Sequence, residues 1–119
     1  MTAIRSTAHV RMRLSTMMKA TEAVSALAAL AQEHRLAIFR LLVQAGPEGM
    51  APSKIKSRLR LAAPTLSFHL AQLKQAGLVR VLRSGRSRIY TADYQSMKTL
   101  VGFLTQNCCG REHARCPRR

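Results

Sequence analysis

PSKIKSRLRLAAPTLSFHLAQLKQAGLVRVLRSGRSRIY, residues 52–90, is the stretch that decides the fold. In PSKIKSRLRL, Ile55 and Leu59 stand four apart, which predicts a short helix with those two facing inward and Lys54, Lys56, Arg58 and Arg60 outward. A turn around residues 61–63 follows. Pro64 then suits the first position of a new helix, where Leu66, Leu70 and Leu73 repeat at i, i+4 and i+7 until Gly77 ends it. Two short helices joined by a tight turn form a helix-turn-helix. Next, LVRVLRSGRSRIYTA sets Val79 and Val81 against Arg80 and Leu82, breaks at Ser84 and Gly85, and resumes through Ile89 and Tyr90. That pattern predicts a β-hairpin with basic flanks, a wing.

Charge gives this segment a partner class. Residues 51–90 carry nine Lys/Arg and no Asp or Glu, within a chain of 119 residues and formal charge +15. The five acids, Glu22, Glu33, Glu48, Asp93 and Glu112, all lie outside it. A basic run alone is usually a solvated face, but here it is laid over a helix-turn-helix and a wing. A polyanion would neutralise the self-repulsion, so double-stranded nucleic acid is the expected partner.

The flanks complete one domain, since 47% hydrophobic residues in 119 allow a single modest core. Residues 21–32, TEAVSALAALAQ, predict a first helix with Thr21 as N-cap and Val24, Leu27, Leu30 and Ala31 on one face. Residues 34–46 place Leu36, Ile38, Phe39, Leu41, Leu42 and Val43 nearly all round a second helix that stops at Gly46 and Pro47, which predicts burial on most sides. Tyr94, Met97, Val101, Leu104 and Cys108 form one stripe on a closing helix that Gly110 can terminate. So small a core leaves that stripe uncovered, which predicts a homodimer through the first and last helices. The fold class expected is mainly α with a small β-hairpin, a winged helix-turn-helix over residues 19–107. Residues 1–18 are expected to be a disordered or extra N-terminal extension: Met17 and Met18 offer a later start, and the acid-free, Arg- and Ser-bearing run is also compatible with an organelle presequence. Residues 108–119 form a cysteine-containing basic tail. No apolar run approaches the length of a membrane span, and residues 1–18 lack the apolar middle of a secretory signal, so a soluble, cytoplasmic protein is expected.

Taken in order, ALAQEHRLAIFRLL, APTLSFHLAQLKQAGLV and RSGRSRIYTAD resemble the ArsR family of winged-helix metalloregulatory repressors, over residues 24–104. The resemblance implies a DNA-binding repressor and no enzyme. Two departures stand out. Arsenite-sensing relatives often carry Cys-x-Cys in the helix before the recognition helix, whereas residues 50–55 hold no cysteine. The turn before the recognition helix commonly holds glycine; here it holds Arg60, which leaves the local backbone open.

In a helix-turn-helix the N-terminal half of the second helix enters the major groove, so Thr65, Ser67, His69 and Gln72 are the candidates for base edges. Capping for Thr65 and Ser67, and a packed ring for His69, are the bland alternatives. Lys54, Lys56, Arg58, Arg60, Lys74, Arg83, Arg86 and Arg88 are the candidates for phosphates, with a wing arginine able to reach a minor groove. A dimer would set its reading helices roughly 34 Å apart on an imperfect inverted repeat. With about four phosphates per subunit at roughly 0.9 each, log K should fall against log salt with a slope near about −7.

Cys108, Cys109 and Cys116, in NCCGREHARC, are an odd number of thiols near the end of the chain, which fits poorly with a secreted disulfide framework. Three thiolates suit As(III) or Sb(III), which favour sulfur and a pyramid of three ligands. Some arsenic-sensing ArsR members use a C-terminal cysteine trio, so the resemblance implies a metalloid effector here. Zinc, with His113 as fourth ligand, is the competing ion. Thiol oxidation is a further alternative, incidental tail cysteines another, and a thiol-dependent arsenate reductase or a constitutive nucleoid or RNA-binding module are the readings from other classes.

Overall fold

A computed structural model describes residues 18–111, the side chain of Arg111 excepted. Its element order is α1 (Ala20–Leu30), α2 (Glu33–Ala45), α3 (Pro52–Leu59), α4 (Ala63–Gln75), β1 (Val79–Ser84), β2 (Ser87–Ala92), α5 (Tyr94–Leu104) and a 3₁₀ turn (Cys108–Arg111). Among the described residues, five α-helices and one antiparallel hairpin make up the expected winged helix-turn-helix. The expected N-terminal extension falls almost wholly on residues 1–17, outside the described residues.

Helix α1 differs from expectation in its start and its buried face. Its N-cap is Lys19, not Thr21, because the Glu22 carboxylate accepts a hydrogen bond from the Lys19 amide at 3.0 Å. The face turned inward is Ala23, Ala26 and Ala29, while Val24 is 64% exposed and Leu27 40% exposed. Alanine carries no bulk beyond Cβ, so an alanine stripe lets α1 lie close on the rest of the domain and leaves the larger side chains outside.

Helix α2 begins where the Gln32 side chain accepts from the Arg35 amide at 2.9 Å and ends at Gly46, whose φ is +83°. It buries Ile38, Phe39 and Leu42. Leu36, expected inside, is exposed, and Leu41 and Val43 are half-buried. Helices α3 and α4 fold as anticipated, with Ile55 on α3 and Leu66, Leu70 and Leu73 on α4 buried. Between them Arg60 takes the left-handed conformation, φ +54° and ψ +49°, so the position that glycine would fill easily is held by an arginine.

The wing pairs Val79 with Ala92 through Ser84 with Ser87, leaving a two-residue turn at Gly85 and Arg86. One pairing has no counterpart in the sequence pattern. Met50 and Tyr90 exchange two backbone hydrogen bonds of 2.9 Å each, tying the loop before α3 to the inner strand of the wing. Gly49, φ +67°, permits this approach: a Cβ there would press on the Tyr90 carbonyl and come within 2.8 Å of an Ile89 methyl.

Helix α5 is capped by Asp93, which accepts from the Ser96 amide at 3.0 Å. The Tyr94 hydroxyl donates to the Leu42 carbonyl at 3.3 Å, and Leu100 is buried. The helix stops at Leu104 and does not run on to Gly110. Beyond Leu104 no apolar side chain anchors another turn, the Thr105 hydroxyl bonds back to the Val101 carbonyl at 2.9 Å, and Asn107 adopts φ +58°. Cys108 therefore does not continue the stripe. Of that stripe, Tyr94 and Met97 pack against the core, and Val101 and Leu104 are exposed.

Candidate nucleic-acid interface

The recognition helix is positioned from below by Leu66, Leu70 and Leu73 against α2 and α3. With these leucines inward, Pro64, Thr65, Ser67, Phe68 and Ala71 are left on the outer side, all exposed. Thr65 and Ser67, proposed from the sequence as base-contacting, stand on that side. His69 and Gln72 do not. His69 is only 8% exposed, and its Nδ1 accepts a hydrogen bond from Arg35 Nη1 at 3.2 Å. Accepting there requires the neutral ring. Burial lowers the His69 pKa, and the nearby charges of His34 and Arg35 lower it further. The same Arg35 donates through Nε to the Ala29 carbonyl at 2.7 Å, so one guanidinium joins α1, α2 and α4. Gln72 is half-buried and lines, with Ser25, Ala29, Arg35 and Gln75, a groove of about 320 Å³ between α1 and α4.

The position of His69 was available in its spacing, because it lies within the same inward arc as Leu66, Leu70 and Leu73. Phe68, 57% exposed between Ser67 and Ala71, was not singled out from the sequence. Only its place on the outer arc could have found it.

The expected phosphate-holding side chains are all exposed, and they fall into separate groups. Helical spacing puts Lys54 and Arg58 on one flank of α3 and Lys56 on the other. Arg60 projects from the left-handed turn, and Lys74 stands in the last turn of α4. On the wing, Arg83 lies directly opposite Arg88 across the strands, with Arg86 in the turn. Like charges at facing positions destabilise a hairpin. A phosphate between them would remove that repulsion.

The other candidate site lies past α5. The Cys108 amide bonds to the Thr105 carbonyl at 3.0 Å, which joins the cysteine turn directly to the helix end. Cys108 and Cys109 hold their sulfurs 3.6 Å apart, and Cys109 is a non-glycine residue with φ +55°. Cys109 is also engaged in a disulfide. The two cysteines thus sit in a turn with non-helical backbone at Cys109 rather than in the last turn of α5, a correction that follows from the early end of that helix. The third proposed ligand, Cys116, and the zinc alternative His113 lie outside the described residues. Among the described residues no three His, Cys, Asp or Glu side chains form a metal cluster.

Comparison with known proteins agrees with this geometry. A family described as a helix-turn-helix domain matches residues 30–81. The transcriptional activator HlyU of Vibrio cholerae is 32% identical over 99 residues, 82% of this chain and 89% of that protein. An ArsR-like transcriptional regulator from Rhodococcus superposes with a TM-score of 0.67 at 28% identity, over 80% of this chain and 85% of the other. The homodimeric winged helix-turn-helix DNA-binding domain Mb0332 of Mycobacterium bovis shares the fold at 23% identity, with a TM-score of 0.57 over 95% of this chain and 97% of that one. No helix among the described residues is long and apolar enough to cross a membrane.

Proposed function

The chain belongs to the ArsR family of winged helix-turn-helix transcriptional regulators, and on that premise we propose that it is a homodimeric repressor that binds operator DNA and releases it when trivalent arsenic, or antimony, is held by Cys108, Cys109 and Cys116. The observation that carries the effector reading is the pair of sulfurs 3.6 Å apart on a turn hydrogen-bonded to the end of α5. Sulfurs that share one ion at the roughly 2.3 Å typical of metal–thiolate bonds stand about 3.3 to 3.8 Å apart for bond angles between about 90° and 109°. The Cys108–Cys109 separation falls within that range, and reduction of the Cys109 disulfide would supply the second thiolate.

The homodimer reading is supported by Val24 and Leu27 on α1 and Val101 and Leu104 on α5, apolar and exposed on two helices that contact each other, and by the homodimeric state of the Mycobacterium bovis domain. In the pair, α3, the outer side of α4 and the wing of each protomer face the duplex, Lys and Arg hold phosphates, and α4 enters the major groove. Trivalent arsenic supplies a centre that takes three soft sulfur ligands. Cys108 and Cys109 would hold it together with Cys116, drawing the tail back onto the turn that follows α5. Because that turn hangs from the helix carrying Val101 and Leu104, drawing it in shifts α5 against its mate and alters the separation of the two reading heads. A coupling of about 1 to 3 kcal/mol lowers operator affinity about 5- to 150-fold.

Oxidation is a second reading, and one observation favours it: Cys109 is disulfide-bonded. Two thiols and hydrogen peroxide would give the disulfide and two waters, closing the same turn without metal. Titrating reduced protein on operator DNA with arsenite, zinc and peroxide separates the readings. Release by arsenite, with about one arsenic bound per protomer, is expected; release by peroxide alone would transfer the function to redox sensing.

A further inference from the structure

We propose that the recognition helix reads thymine-bearing half-sites by apolar contact, with the Phe68 ring seated against the 5-methyl group of a thymine in the major groove. The inference rests on the operator-binding reading above and names what that reading recognises. It starts from an absence of charge. Residues 61–73, which contain the first eleven residues of α4, hold no Lys, Arg, Asp or Glu, although basic side chains lie on both sides of the segment. Over its N-terminal part the outer side of α4 is Pro64, Thr65, Ser67, Phe68 and Ala71, and Phe68 is the one aromatic among the exposed large hydrophobic side chains of the described residues.

The base code of the major groove then restricts what this side can recognise. Guanine is read chiefly by Arg or Lys, adenine by a bidentate Asn or Gln, and cytosine by Asp or Glu as acceptor. None of those types stands among the first nine residues of α4, Ala63–Ala71, the end of the helix that enters the groove. Gln72 and Gln75, the amides of the helix, line the groove toward α1. What remains are two small hydroxyls, compatible with several bases, and an apolar pair at i and i+3, Phe68 and Ala71. Thymine is the base that offers an apolar group, its methyl, to such a pair.

The Phe68 ring is also steadied. It meets the His69 ring edge-on with centroids 5.3 Å apart, and His69 is buried and bonded to Arg35. A lone exposed phenylalanine is ordinary on a protein surface. One placed between two phosphate-holding regions, on the arc that enters the groove, is covered when the duplex docks.

The test begins with selection of a duplex from a random-sequence library by the full-length protein. Each thymine of the selected half-sites is then replaced by deoxyuridine, which removes the 5-methyl and nothing else. At one position per half-site, wild type should bind about fourfold more weakly for each methyl lost, and about 15-fold when both half-sites are changed, as expected for about 0.8 kcal/mol per buried methyl. Phe68→Ala should weaken binding to the thymine duplex and erase the distinction between thymine and deoxyuridine, while Phe68→Leu keeps part of it. If wild type binds both duplexes equally, or Phe68→Ala still distinguishes them, the thymine contact is wrong while operator binding stands. If no duplex is enriched, the operator reading fails and the contact falls with it. The wild-type comparison decides the matter even if a variant folds poorly.

Discussion

His69 shows how one side chain can look like a reading residue and serve another purpose. It lies on the recognition helix two residues after Ser67, yet its ring turns inward, accepts from Arg35 and stacks at 5.5 Å and a tilt of 35° against His34. Since burial and then its cationic neighbours lower the His69 pKa below its ordinary 6.5, the folded protein resists a proton that the unfolded chain accepts. The stability this residue contributes is therefore complete above about pH 6.5 and declines as pH falls from there toward the lowered folded value. Urea midpoints measured from pH 8 to pH 5 should drop across that window for wild type and stay flatter in His69→Gln, whose amide oxygen can still accept from Arg35. An equal drop in both would assign the pH dependence to other groups. Arg35→Ala removes the bonds to Ala29 and His69 together and should cost about 1 to 3 kcal/mol of stability, read from the same midpoints.

Among the elements, two left-handed residues give opposite expectations. Arg60 has φ +54° in the turn between α3 and α4, and glycine would relieve roughly 1 kcal/mol of backbone strain there. Arg60→Gly should therefore raise the urea midpoint while weakening DNA binding, because an exposed charge proposed to hold phosphate is lost. Gly49 has φ +67° and sits beneath the wing, where a Cβ would press on β2 backbone and side chains, so Gly49→Ala should lower stability by about 2 kcal/mol or more. The helix-turn-helix and hairpin could be read directly from the sequence because leucine spacing and the Gly and Pro positions mark them clearly. Less legible was the Met50–Tyr90 pairing, since a single bridge has no periodicity. Nor did side-chain size predict the buried face of α1: large residues suggested Val24 and Leu27, but close packing selected the alanines. The end of α5 was misread for a related reason. A stripe can be extended by spacing to Cys108, whereas the chain leaves the helix at Thr105 once apolar anchors run out.

For the molecule as a whole, basic residues spread over α3, α4 and the wing need a partner that touches all three, and exposed Val24, Leu27, Val101 and Leu104 need a covering surface. Val101→Glu with Leu104→Glu should give a monomer by sedimentation and lose operator affinity, with the fold intact by circular dichroism, since both side chains already face outward. If eight phosphates are neutralised per dimer, the salt slope should lie near about −7. The most direct measurement is a hydroxyl-radical footprint of the protein on its selected duplex, with the number of protomers bound determined in parallel. Two protected half-sites about 10 base pairs apart, occupied by two protomers, are expected from paired reading heads. A single protected site, or uniform protection of any duplex offered, would contradict the account.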